Sequence, residues 1–343
     1  MRVAGGGTCI LWQPPQQLLW GSGELTVRKR WNGGESMARM HVEGSLRTRA
    51  TKKNRRGSLF VPYLFLAPAL AFFMVFSIIP VMQALYYSFT DYNMFTVPNW
   101  VGLQNYKRIL GDGLFYKTLG NSLSFFLGTT PFLVIIPIFV AILVNRQLKG
   151  VKVFRMIYYF PVILTSVITA TMWRWIYEEK GVVNFILLKL NIVQEEVHWL
   201  TSPDTALTSL KIITIWMGIG YYMVIYLAGL QSIPNELYES ARIDGAGVLR
   251  RHFSITIPLL VPSIAIVSIM STLSAIKAFE LMFVMTKGGP IDSTKTVVYY
   301  LYESAFQDLR MGYASAVGFM IFIIIFIISI INIKITDAKT VRY

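Results

Sequence analysis

The chain has 343 residues, of which 54% are hydrophobic and 15% charged, whereas soluble proteins are about half apolar and about a quarter charged. Water-soluble disorder is excluded, and the apolar residues fall in long uncharged blocks that one soluble core cannot absorb. The net charge of +14 flanks those blocks and forms no basic face interleaved with aromatics, so it reports membrane topology and not nucleic-acid binding.

Residues 1–36 read as without helical or strand period, rich in Gly and Gln, like noncoding sequence translated in frame. Gly33, Gly34, Glu35 and Ser36 can be encoded by a purine-rich ribosome-binding sequence just ahead of Met37. Met37 is therefore the expected start, with Met40 next. Residues 1–58 form an N-terminal arm.

A bilayer core of about 30 Å needs roughly 20 apolar residues in helix. Six windows qualify: Leu59 to Phe89, Leu119 to Val144, Met156 to Tyr177, Leu207 to Leu230, Ile257 to Phe283 and Tyr313 to Ile333. The first is too long for a secretory signal, has no small-residue cleavage site after it, and reads as a retained span. Pro68, Pro80, Pro131, Pro137 and Pro161 lie inside these windows, as membrane helices tolerate when neighbours satisfy the freed carbonyls. Trp173, Trp175 and Tyr177 close the third window and suit an interfacial aromatic belt.

Orientation follows from the basic residues, which cytoplasmic loops retain. From Met37 onward, the N-terminal arm, the loops after spans two and four and the C-terminal tail hold seventeen Lys and Arg; the alternate loops hold eight. Both termini are expected in the cytoplasm, with residues 336–343 as a short tail.

Chemistry of the chain's own is not expected. Cys9 is the single cysteine, and His41, His198 and His252 match no metal-ligand spacing. Neither a phosphate-cradling Gly-x-x-x-x-Gly-Lys loop nor a Gly-x-Ser-x-Gly elbow occurs. The expectation is no catalytic residue, no metal and no cofactor, with any ATP chemistry supplied by a partner.

Between spans four and five, residues 233–262 read IPNELYESARIDGAGVLRRHFSITIPLLVP, a polar segment with helix signals at both ends. Pro234 suits a first helical turn, Glu236 and Glu239 suit its positive end, and a helix from Pro234 to Asp244 follows. Gly245 sits where a helix stop needs a left-handed residue, and a second short helix from Val248 to Ile255 leads to Pro258.

These residues resemble the transmembrane subunits of binding-protein-dependent ABC importers, whose cytoplasmic loop carries Glu-Ala-Ala, three residues, Gly, about nine residues and Ile-x-Leu-Pro. The chain has Glu239-Ser240-Ala241, then Asp244-Gly245-Ala246, then Ile255-Thr256-Ile257-Pro258. Ser240 and Ile257 depart conservatively from that pattern. The similarity covers about residues 60 to 335 and narrows to the sugar-importing branch through VGLQNY at Val101 to Tyr106, Trp199-Leu200, ELYESARIDGAG and TKGGPIDSTKTVVYYLY at Thr286 to Tyr302. Lys287 stands where that branch more often has a small residue.

The resemblance implies an all-α, six-span integral membrane permease over 59–335, in a bacterial cytoplasmic membrane. It implies three kinds of partner besides lipid: a second permease, most simply as a heterodimer, two ATP-binding subunits and an extracytoplasmic sugar-binding protein. The loop 233–257 would insert into the ATPase through Glu239, Ala241, Asp244, Gly245, Ala246 and Pro258. In span five, Ser271, Ser274 and Lys277 recur three apart on nearly one face, Glu280 is available to Lys277 at helical spacing, and the family places this stretch near the pathway. Ser271, Ser274, Lys277, Phe279 and Glu280 are thus the candidate substrate-path residues, although small hydroxyls in spans more often pack helices. Arg174 and Lys211 lie near span ends and read as snorkelling, while Trp216, Tyr221 and Tyr222 could offer faces to sugar rings. The expected cargo is a mono- or oligosaccharide. A glycerol phosphodiester or another polar solute is the alternative, followed by a membrane anchor or assembly protein.

Overall fold

The computed structural model describes residues 19–21, 24–31, 34–40, 60–145 and 150–337. Cys9, the basic residues from Arg47 to Arg56, Arg146, Lys149 and the tail residues Lys339 and Arg342 lie outside these. The chain comprises two units, Met1–Ala71 and Phe72–Tyr343.

In the first unit, β1 (Leu19–Gly21), β2 (Glu24–Trp31) and β3 (Gly34–Met40) form an antiparallel sheet in sequence order, with Leu25 opposite Met40 and Trp31 opposite Gly34. This corrects the reading of residues 1–36 as lacking a strand period. Leu25, Val27 and Trp31 alternate with Thr26, Arg28 and Arg30, a period-two run that the flanking Gly and Gln obscure.

Among the other described residues the regular structure is helical apart from a single bridge pairing Thr90 with Trp100. Helix α1 (Phe60–Phe73) continues through a π turn at Met74–Ile78 into α2 (Ile79–Ser88). The π turn lies just ahead of Pro80, whose missing N–H removes a rung of the α-helical ladder. A short α3 (Gln104–Leu110) precedes α4 (Gly113–Val144), capped by Asp112, whose Oδ1 accepts from the backbone N–H groups of Leu114 and Phe115 at 2.9 and 3.3 Å. Pro131 and Pro137 are accommodated inside α4, as the sequence reading anticipated.

The third predicted span departs from a straight rod. It is two helices, α5 (Val151–Ile163) and α6 (Ser166–Ile176), bent by 101°. Leu164 and Thr165 are extended, and the Thr165 hydroxyl accepts from the Ile168 N–H, so the chain starts a new helix there. Pro161 further weakens the last turn of α5. With this pair counted as one crossing, the helices among the described residues that are long and apolar enough to span number six, the others being Tyr63–Ser88, Gly113–Val144, Pro203–Gln231, Val261–Met285 and Met311–Lys334.

After α7 (Val182–Lys189), α8 (Pro203–Gln231) packs along α4 and against α5. Gly220 makes the second contact possible, because a Cβ there would collide with the carbonyl oxygen of Tyr158. Then come α9 (Asn235–Ile243), α10 (Val248–Arg251), a π turn at His252–Thr256, α11 (Ile257–Leu259) and α12 (Val261–Ile276). The bundle is completed by α13 (Glu280–Met285), α14 (Val297–Phe306) and α15 (Met311–Asp337). Buried apolar residues from α4, α8 and α12 fill the centre, including Phe125, Leu133, Ile213, Tyr226 and Val267. In hydrocarbon such close packing, more than water exclusion, holds helices together.

Candidate functional site

Two places carry the residues singled out by the sequence. The first is the turn between α9 and α10. Pro234 caps α9 from outside instead of occupying its first turn, and the helix ends at Ile243 with Asp244 as C-cap. Gly245 has φ +74°, the left-handed geometry that its missing Cβ permits at low cost. Its N–H donates to the Arg242 carbonyl at 3.1 Å, and the Ala246 N–H donates to the Ala241 carbonyl at 2.9 Å. These two bonds are the paired closure of a Schellman stop, so the turn is fixed by backbone geometry. Glu239, Asp244 and Gly245 are exposed, while Ala241, Ala246 and Pro258 are partly covered. Ile243 at 87% and Leu249 at 73% exposure, with Phe253 beside them in sequence, give this polar loop an uncovered apolar rim.

A buried hydroxyl joins the two halves of the loop. Thr256 Oγ1 lies 3.0 Å from the Tyr238 hydroxyl on α9 and 3.2 Å from His252 Nδ1. Sequence reasoning missed this link, because Tyr238 and Thr256 are 18 residues apart and nothing local signals their contact.

The second place is a cavity of about 640 Å³ among α4, α6, α8, α12 and α13. Ser274, Lys277, Phe279 and Glu280 line it, together with Tyr221, Tyr222, Thr214 and Ser166. Ser271 does not line it: it is fully buried, and its hydroxyl donates to the Ser268 carbonyl at 3.2 Å, as a helix-packing residue does. Trp216 also stands apart, packed edge-on against Trp173.

The expected pairing of Lys277 with Glu280 fails for a backbone reason. Helix α12 stops with Lys277 as C-cap, residues 278 and 279 are non-helical, and Glu280 begins α13. The i to i+3 relation is thereby lost. Among the described residues no ion pair joins the two, and both side chains are exposed. The break between α5 and α6 reaches the same cavity through Val162 and Ser166. Irregular backbone at membrane depth is tolerated where it lines a cavity, so the two interruptions account for one another. Phe279 stacks on Phe283 behind the cavity wall with centroids 5.2 Å apart, and within the cavity Tyr221 meets Tyr222 edge-on. Aromatic faces, a hydroxyl, an ammonium and a carboxylate therefore face one space, a set suited to a polyhydroxylated ring.

At the end of α8 far from the Gly245 turn, the loop before α14 is locked to α4. The amide of Asn121 donates to the carbonyls of Asp292 and Lys295 at 2.8 and 2.9 Å. Lys295 lies 2.8 Å from Asp292 and 2.7 Å from Glu303. Burial pushes the Lys295 ammonium pKa down, but the hydrogen bonds it donates to these two carboxylates outweigh it and hold the group above its ordinary range. Asp112 receives the hydroxyls of Tyr300 and Tyr313, the latter at 2.6 Å. Arg174 is in a further cavity of about 710 Å³ with Tyr177, His198 and Trp199, and His198 Nδ1 lies 2.8 Å from Glu179. Among the described residues no group of three or more His, Cys, Asp or Glu is placed to hold a metal.

Residues 110–338 match the family described as binding-protein-dependent transport system inner membrane component. The probable ABC transporter permease protein YesP of Bacillus subtilis (strain 168) is 36% identical over 300 residues, covering 86% of this chain and 96% of that protein. The multiple sugar-binding transport system permease protein MsmF of Streptococcus mutans is 32% identical over 275 residues, covering 80% of this chain and 94% of that protein. A crystal structure of a bacterial ABC transporter involved in the import of the acidic polysaccharide alginate aligns with TM-score 0.72 and 25% identity, over 83% of this chain and 96% of its own.

Proposed function

Because the chain belongs to the family of binding-protein-dependent transport system inner membrane components, we propose that its 640 Å³ cavity is a station on a sugar's path through the membrane. The protein is a multi-pass inner-membrane permease subunit of an ABC sugar importer. The meeting of two helix breaks in one cavity with aromatic and polar walls carries the reading of its path. Tyr221 and Tyr222 offer ring faces, while Ser274, Lys277 and Glu280 offer hydrogen bonds to hydroxyls. Both termini face the cytoplasm in this scheme.

The turn around Gly245 is proposed as the knob that enters a separate ATP-hydrolysing subunit. Glu239 pairs there with a basic side chain of that subunit, and the bare apolar rim of Ile243, Leu249 and Phe253 is covered on docking. Nucleotide-driven closure would pull on α9, and the Tyr238 to Thr256 contact would pass the movement to α12. The assembly is completed by a second permease, a second ATPase subunit and an extracytoplasmic sugar-binding protein.

The test is uptake of labelled mono- and oligosaccharides, glycerol phosphodiesters and amino acids in cells with and without this gene, repeated with Gly245→Asp and with Tyr221→Ala. Loss of the same saccharide in all three strains is expected. Loss of a non-sugar solute alone would overturn the sugar assignment, and unchanged uptake with Gly245→Asp would overturn the docking role.

A further inference from the structure

We propose that the cavity holding Lys117 and Lys211 is an anion subsite, and that the imported sugar carries an acidic oxygen group, such as a carboxylate, that this subsite receives. The inference rests on the sugar-importer reading and names the class of cargo.

This cavity, of about 450 Å³, lies between the first turns of α4 and of α8 and the loop before α14. Two ammonium groups line it. Lys117 donates to the Ile291 carbonyl at 2.6 Å, and Lys211, from within α8, donates to the Ser124 hydroxyl at 2.9 Å. Among the described residues neither forms an ion pair. The lining includes one carboxylate, Asp204, which sits in the first turn of α8, where the helix dipole already favours negative charge. Ser293 also lines the space, and among the described residues its buried hydroxyl has no hydrogen-bond partner. Two ammonium groups against one carboxylate leave the lining with a net positive charge, and the hydroxyls of Ser124, Thr208 and Ser293 stand beside them, which is the complement of an anionic oxygen group.

Lys211 is held in place and does not simply reach for the membrane surface. Its stem crosses α4 at Gly128, where a Cβ would come within 2.8 Å of Cδ, 3.0 Å of Cε and 3.2 Å of Nζ. The bare backbone at Gly128 is the groove that lets the ammonium lie against Ser124. A cation within a spanning helix is costly unless it meets a counter-charge or water, and a passing carboxylate supplies the former.

Position argues for cargo. Thr214 and Gly218, three and seven residues beyond Lys211 on α8, line the 640 Å³ cavity. Those spacings keep them on nearly the same helix face, and Gly218 is about 10 Å further along the axis. A short oligosaccharide with its acidic group at Lys211 would thus bring its rings towards Tyr221.

The experiment is uptake by the complete transporter of a neutral oligosaccharide panel and its uronate counterparts, by wild type, Lys211→Met, Lys211→Arg and Gly128→Ala. Wild type is expected to prefer the uronate. Lys211→Met should lower the uronate-to-neutral ratio about tenfold, and Gly128→Ala should lower it without removing charge, while Lys211→Arg retains part of it. Gly128→Ala keeps the question answerable if Lys211→Met fails to insert. Uptake of neutral members alone would overturn the anionic assignment and leave sugar import standing; uptake of no saccharide at all would defeat both. Reconstitution with and without phosphatidylglycerol separates the other source of an anion. If Lys211→Met changes only the response to that lipid and not the sugar ratio, the cavity holds a headgroup and the proposal is overturned.

Discussion

Replacing Gly245 separates backbone strain from steric fit. At φ +74° an L-residue pays about 1–2 kcal/mol, and an added Cβ would meet no atom within 4 Å. The whole expected effect of Gly245→Ala is therefore conformational: the left-handed turn proposed to dock becomes about 5- to 30-fold less populated, with no clash to add to it. Asn tolerates this region better, so Gly245→Asn should cost less than Ala. Gly245→Asp adds a second carboxylate beside Asp244 at a helix C-terminus, an unfavourable place for negative charge worth roughly 0.3–1 kcal/mol more than its neutral isostere. The assay is titration of the purified ATPase subunit onto detergent-solubilised permease complex, reading Kd. The expected order of weakening is Gly, Asn, Asp, with Ala weakened by no more than about 30-fold. Wild-type affinity in Ala and Asp alike would refute the idea that a pre-set left-handed turn is what docks.

Thr256→Val removes the hydroxyl that lies against the Tyr238 hydroxyl, at a cost of about 1–3 kcal/mol; transport per ATP hydrolysed should fall more than ATP hydrolysis itself, read by paired uptake and phosphate-release assays. Gly220→Ala drives a methyl group into the Tyr158 carbonyl and should destabilise the α5–α8 contact by about 1–3 kcal/mol, seen as a lowered Tm in detergent; an unchanged Tm would mean that α5 moves freely. Burial pushes the Asp112 carboxyl pKa up, but hydrogen bonds from Tyr300, Tyr313 and the N–H groups of Phe115 and Leu114 outweigh it, so the folded pKa lies below the ordinary 3.8. The stability this contributes is present above about pH 4 and is lost as pH falls through the depressed folded value. An acid titration of Tm should show that loss in wild type and not in Asp112→Asn.

Length, hydropathy and loop charge sufficed to identify a multi-span membrane protein, because a bilayer imposes span length and basic flanks locally in the chain. The stop at Gly245 was legible for the same reason: a left-handed residue after a helix is a requirement on a few consecutive residues. Tertiary structure decided what depended on distant partners. Ser271 and Ser274 look equivalent in sequence, yet one is buried in helix packing and the other lines the cavity. Lys277 and Glu280 are spaced as a helical pair, but α12 ends between them and that relation disappears. The 101° bend after Pro161 and the groove that Gly128 gives Lys211 were equally unreadable. Proline and glycine mark where a helix can yield or be approached, and only the neighbouring helices determine whether it does.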